Sequence, residues 1–179
     1  NKVWKINPSN MSKVAESASY GGTIYALVFD GSYLYAGGVL TTGSVWKINP
    51  STMSKVAESA DYGGTIYALA YDGSYLYAGV TTGSVWKINP SNMSEVAESA
   101  DYGGTIRALA YDGTYLYAGG GTTRKVWKIN PSTMSEVAES ANYGGTILAL
   151  AYDGTYLYAG GSTTRKVWKI TDTVYIREV

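Results

Sequence analysis

The chain has 179 residues, of which 45% are apolar and only 16% charged, so it is globular, with room for one well-cored domain. Fourteen acids balance fourteen bases, which leaves no net field for capturing nucleic acid or an anionic membrane. There is no Cys and no His, which removes disulfides, thiol nucleophiles, zinc–thiolate sites and the commonest general base and metal ligand.

In chain order, residues 1–18 supply two strand signals, the first carrying Trp4. A longer unit then recurs at about 23–60, 65–100, 105–141 and 146–179, and the five tryptophans fall 42, 40, 41 and 41 residues apart. A period near 41 residues suits blade and repeat arrays. In the second unit, Thr65–Asp72 places Ile66, Ala68 and Ala70 on one face and Tyr67, Leu69 and Tyr71 on the other. With apolar residues on both faces, the strand is expected to be buried on both sides. Asp72-Gly73 reads as a two-residue hairpin loop in which Gly supplies the positive φ. Tyr75–Gly79 is a second strand rich in β-forming Tyr.

A Thr/Gly/Ser loop leads into a third strand, Val85–Ile88, with Trp86 and Ile88 on one face. Asn89-Pro90-Ser91 reads as a tight turn. Met93–Ala100 is a fourth strand whose Glu95 and Glu98 suit an outer edge, where charge discourages foreign pairing. The gradient from a doubly apolar strand to a charged one predicts an all-β chain: a β-propeller of four-stranded antiparallel blades, four to five blades in all, forming a single domain over residues 1–179. A β-solenoid and a repeated-hairpin sandwich are the rival architectures.

The strand count leaves closure open. Residues 1–18 form half a blade, and the last unit ends in Thr171-Asp172 and Thr173–Val179 without the Asn-Pro-Ser turn. Three arrangements fit: the N-terminal pair completes the last blade, it forms half of a fifth blade, or the ring is completed outside this chain. Opening on Asn1 suits a processed chain or a piece of a longer one.

The order Ala-Leu-Ala-Tyr-Asp-Gly-[Ser/Thr]-Tyr-Leu-Tyr-Ala-Gly, followed by Val-Trp-Lys-Ile-Asn-Pro-[Ser/Thr], resembles the YVTN-type β-propeller repeats of archaeal and bacterial surface proteins. The resemblance covers nearly the whole chain. It implies an extracellular or cell-surface setting and a binding or structural role. Trp after the third-strand Val departs from that pattern, and the close likeness of the copies suggests recent duplication or a consensus-like design.

Two loop sets are expected on one face. One holds Ser19-Tyr20, Asp61-Tyr62, Asp101-Tyr102 and Asn142-Tyr143, each followed by Gly-Gly; the other holds the Thr-rich loops at 41–44, 81–84, 122–125 and 162–166. Tyr offers a flat apolar platform, Asp or Asn paired hydrogen bonding and Gly close approach, a combination suited to a sugar ring. The structural alternative is a tight crossover between blades with Tyr packed on its neighbour. Arg107 stands where other copies have Tyr25, Tyr67 and Leu148; facing the axis it would hold an anion or carboxylate, and the alternative is an Arg at the mouth with its head in water, the commoner outcome. Lys13 and Lys55 give way to Glu95 and Glu136, while Gly43-Ser44 and Gly83-Ser84 give way to Arg124-Lys125 and Arg165-Lys166, which reads as a drifting, solvated surface.

The tryptophan column reads as inter-blade packing, and Asp30, Asp72, Asp112 and Asp153 as turn residues, since no metal-ligand loop accompanies them. Without His or Cys, and with no Walker-type or dinucleotide glycine pattern, neither enzyme activity nor a cofactor is expected. No apolar run reaches membrane-span length. The expected role is a non-enzymatic extracellular structural or interaction module, self-assembling or binding a protein. The alternative is a multivalent lectin whose partner is a glycan.

Overall fold

The protein is described by a computed structural model, which describes residues 1–39, 43–163 and 166–170. Among these residues the chain is all β. A leading pair, β1 (Trp4–Ile6) and β2 (Lys13–Glu16), precedes a first full sheet of β3 (Ile24–Phe29), β4 (Leu34–Gly38), β5 (Val45–Ile48) and β6 (Lys55–Glu58). The second sheet is β7 (Ile66–Tyr71), β8 (Leu76–Val80), β9 (Val85–Ile88) and β10 (Glu95–Glu98). The third is β11 (Ile106–Tyr111), β12 (Leu116–Gly120), β13 (Val126–Ile129) and β14 (Glu136–Glu139). The last comprises β15 (Ile147–Tyr152), β16 (Leu157–Gly161) and β17 (Val167–Ile170). Each sheet is an antiparallel meander in sequence order. The expected four-strand repeat is therefore present, with a fourth strand shorter than Met93–Ala100. The divergent tail, Thr171 onward, lies outside the described residues.

Two local expectations need correction. Strict alternation along the first strand is broken by a bulge between Ile66 and Ala68. The extra residue resets the pleat, so Ile66 and Leu69 both approach Gly37 of the preceding sheet. The hairpin tip also lies one residue further on than Asp72-Gly73. The Asp72 N–H donates to the Tyr75 carbonyl, leaving Gly73-Ser74 at the tip, and only Gly73 takes a positive φ, +97°. The Asp72 carboxylate accepts from the N–H groups of Ser74 and Tyr75, at 2.7 and 2.6 Å, and so caps the loop.

The Asn-Pro-Ser turn forms as expected. Asn89 Oδ1 accepts the Ser91 N–H at 2.9 Å, and the Met93 N–H closes on the Asn89 carbonyl at 2.8 Å. The sequence gives no sign that Met93 is left-handed, at φ 61°, as are Met11, Met53 and Met134. A left-handed non-glycine costs about 1–3 kcal/mol. Met53, Met93 and Met134 are buried in the adjoining core, which offsets that cost.

The sheets do not share one central core. Apolar residues of neighbouring sheets form separate clusters: Ala70, Tyr77 and Val85 of the second sheet meet Ile106, Trp127 and Met134 of the third, and the other junctions follow suit. The small Gly37, Gly79 and Gly119 each receive an Ile from the next sheet: Ile66, Ile106 and Ile147. Lysines also tie each sheet to the next from the leading pair to the third sheet, Lys5 to the Pro50 carbonyl, Lys47 to Pro90 and Lys87 to Pro131, at 3.1, 2.7 and 2.7 Å. Sheets thus pack in single file through β3, β7, β11 and β15, in a propeller-like arc that is not closed. The arrangement in which the N-terminal pair completes the last blade is not adopted. The leading pair forms its own two-stranded sheet, and β16 is flanked by β15 and β17.

Candidate functional site

The Tyr-Gly-Gly connections and the loops between second and third strands do meet on one face. The Tyr62 N–H donates to the Gly43 carbonyl, Tyr102 to Gly83 and Tyr143 to Arg124, at 2.9–3.0 Å. Asp61 Oδ1 accepts from both Gly43 and Gly63, each at 2.8 Å, so its carboxylate locks the two loops together. Asp101 accepts from Gly103 at 2.7 Å, and Asn142 from Gly144 at 2.8 Å. All three Asx side chains are exposed at their rims, and each has its first hydrogen bond inside its own turn.

The tyrosines point inward. Tyr20, Tyr62 and Tyr102 are buried and Tyr143 is half-buried. Each lies against the third-strand tryptophan of its own sheet: Tyr20 edge-on to Trp46 at 4.8 Å, Tyr62 stacked on Trp86 at 5.0 Å, Tyr102 on Trp127 at 4.8 Å, and Tyr143 tilted over Trp168 at 5.2 Å. Tyr20 also donates its hydroxyl to the Ser44 carbonyl at 2.7 Å. Burial pushes the Tyr102 hydroxyl up to about 12. The rings of Tyr20, Tyr62, Tyr102 and Tyr143 thus lie against tryptophans, the packing that the tight-crossover alternative describes. The rings pack within a sheet and join its first connection to its third strand.

Arg107 is half-buried, and its guanidinium carbon lies 4.7 Å above the Tyr67 ring, which in turn stacks on Tyr25 at 4.7 Å. The inner strands thus carry a short column of Tyr25, Tyr67 and Arg107, and the cation rests on an aromatic face. The surface-drift reading needs correction at Lys125. In the first two sheets Ser44 and Ser84 donate to Glu58 and Glu98, the latter at 2.6 Å. In the third sheet Lys125 replaces the serine and pairs with the equivalent Glu139 at 2.7 Å. The partner is retained while the chemistry changes, and only the fourteen-residue offset could have signalled it. Arg165 lies outside the described residues.

Sequence reading undervalued the opposite face. There the hairpin aspartates take a second role, accepting from a buried or half-buried Tyr hydroxyl: Asp30 from Tyr35, Asp72 from Tyr77 and Asp112 from Tyr117, at 2.7, 2.6 and 2.8 Å. Lys47, Lys87 and Lys128 lie 4.0–4.3 Å over Tyr33, Tyr75 and Tyr115. A shallow groove between the last two sheets is lined by Asp112, Tyr117, Tyr152 and Leu157. Burial pushes the Asp30 and Asp112 carboxyls up, but the N–H groups of Tyr33 and Tyr115 and the Tyr35 and Tyr117 hydroxyls outweigh it and hold both below the ordinary value.

A depressed folded-state carboxyl stabilises the fold above its unfolded value, near about 3.9, and that contribution fades as pH falls through the folded value. A raised tyrosine acts in the opposite sense, contributing below about 10 and losing its contribution as pH rises through the folded value. With no His in the chain, denaturation midpoints are expected to stay flat from about pH 5 to about 9 and fall on either side. A step between pH 6 and 7 would contradict this.

No protein-family model matches the chain, and no curated protein matches it in sequence. Solved structures do match in fold. The computationally designed Ika4 protein superposes with a TM-score of 0.75 at 17% identity, covering 87% of this chain and 96% of that one. The computationally designed Ika8 protein gives 0.77 at 18%, covering 94% and 52%. A chain of a mitotic checkpoint complex gives 0.80 at 19%, covering 93% and 54%. The chain therefore spans about half the length of the last two, and identities this low establish fold alone.

Proposed function

We propose that the protein is a non-enzymatic interaction and structural module, a propeller unit that works through protein–protein contact at an extracellular surface. The observation that carries this is where polar and apolar groups end up. The loop tyrosines, the first Asx hydrogen bonds and the hairpin carboxylates are committed within the fold, while large apolar side chains at the two ends of the arc are uncovered: Trp4, Ile6, Leu27 and Phe29 at one end, Leu148 and Val167 at the other. Uncovered apolar surface of this kind marks an interaction site. That a chain of similar fold belongs to a checkpoint complex supports a protein partner, and the likeness to surface-protein repeats supports the setting.

Sedimentation velocity from about 1 to 100 μM should show association that rises with concentration. A hydrolase panel should show no turnover above buffer. A chain monomeric throughout, or turnover lost in Glu98→Gln, would overturn the reading.

A further inference from the structure

We infer that the two open ends of the arc are the two halves of one blade, completed by a second copy of this chain. The inference rests on the interaction reading above and names its partner.

The leading pair is finished on one side only. Trp4, Ile6 and Met11 are 62%, 46% and 73% exposed, whereas the equivalent Trp46, Ile48 and Met53 of the first full sheet are 9%, 0% and 3% exposed. The contrast is not general fraying, because Val14 and its equivalent Val56 are exposed alike, at 57% and 53%. Trp4, Ile6 and Met11 are the residues that a preceding blade would cover. Behind them, Ile24 is only half-buried and Leu27 and Phe29 are exposed, although Ile66, Ile106 and Ile147 are fully buried.

The trailing end shows the matching hollow. A Cβ on Gly37, Gly79 or Gly119 would strike the Ile of the following sheet, while one on Gly160 would meet nothing nearer than the Ala149 Cβ at 4.0 Å. Ala149 and Ala151 are exposed, whereas Ala68 and Ala70 are buried. Ile24 and Leu27 are therefore knobs without a hole, and Gly160 is a hole without a knob.

The strands agree. β1 and β17 sit within one repeated sequence, Lys2-Val-Trp-Lys-Ile6 and Lys166-Val-Trp-Lys-Ile170. β1 can thus take the place of β17 on the β16 edge in the same register, Leu157 opposite Ile and Ala159 opposite Trp. It brings with it the regular Asn7-Pro8 turn and the fourth strand β2. Among the described residues Trp4 alone has no tyrosine ring against it, and no ring lies under Lys5, while in the last sheet Tyr143 and Tyr156 are held by Trp168 and Lys169 of β17, the positions that Trp4 and Lys5 would take over. The composite blade is β15 and β16 of one copy with β1 and β2 of the other, β17 giving up the β16 edge to the incoming β1. Each copy then contributes three complete blades and two half-blades, so one chain closed on itself makes four blades, two copies make eight and three make twelve. Propellers run from about four to eight blades. Within one chain β1 does not pair with β16, which favours the pair of copies.

The test compares masses by multi-angle light scattering. Wild type should reach twice the single-chain mass. Gly160→Val should fold as wild type by circular dichroism yet associate at least about tenfold more weakly, because it fills the hole, whereas the rim variant Val14→Asp should associate normally. The Cys-free chain also permits a cross-link: Ile24→Cys and Gly160→Cys, mixed as separate proteins, should join by a disulfide. Association unchanged by Gly160→Val and no mixed disulfide would overturn the composite blade while leaving the interaction reading standing. A monomeric Ile24→Cys/Gly160→Cys double variant cross-linked within one chain would overturn the second copy in favour of self-closure. A wild type that stays monomeric without cross-linking would overturn both readings.

Discussion

Gly79→Ala is expected to lower the unfolding free energy by about 2–3 kcal/mol, a large loss for one added methyl group. The new Cβ would stand 2.6 Å from Ile106 Cγ2, 3.0 Å from Ile106 Cβ and 3.3 Å from the Ile106 carbonyl oxygen. A β-branched side chain has little χ1 freedom, and its backbone is held in β11, so neither group can move aside cheaply. Ile106→Ala, from the other side of the junction, is expected to lose about 2–5 kcal/mol as a buried large-to-small change. Because the two residues occupy one space, the double variant should lose less than the sum, with a coupling of about 0.5–3 kcal/mol. Urea titrations of the four proteins test this, and strict additivity would count against the knob-and-hole account.

Trp127→Ala is expected to lose about 3–5 kcal/mol. Trp127 is buried in the cluster that joins the second and third sheets, and it stacks on Tyr102. A cycle with Tyr102→Ala should isolate about 0.5–1.5 kcal/mol for the ring pair beyond its buried area. Trp4→Ala is the internal control. It sits at the equivalent position, but it is exposed, so at concentrations where the chain is single it should move stability by less than about 0.5 kcal/mol. Equal losses at the two tryptophans would show that stacking within a sheet does not set the order of these contributions.

The repeat, the strand order and the rim position of the fourth strand were legible because they depend on local composition: apolar runs, Asx-Gly and Asn-Pro turns, and charges at one edge. The bulge between Ile66 and Ala68 was not, because its effect, the turning of Ile66 toward Gly37, depends on a residue in another sheet. The packing of the loop tyrosines was hidden for a related reason. Tyr, Asx and Gly serve turns and ligands equally well, and what decides between them is Trp86, twenty-odd residues after Tyr62, lying against its ring. Lys125 illustrates the opposite case. Its departure from Ser was visible, but its meaning needed Glu139.

The single-file packing of the sheets also bears on how the chain acquires its structure. Among the described residues no side-chain hydrogen bond spans more than 45 positions, and each sheet is a meander made from one continuous segment. Folding speed falls as contacts become more distant in sequence, and all-β chains are usually slow for that reason. Here each sheet needs only itself and the one before it. Structure can start at any unit and spread outward in steps of one repeat, before the remainder of the polypeptide has emerged. Only the joining of the ends falls outside this local process. If it takes place between molecules, its rate depends on concentration, while everything before it does not.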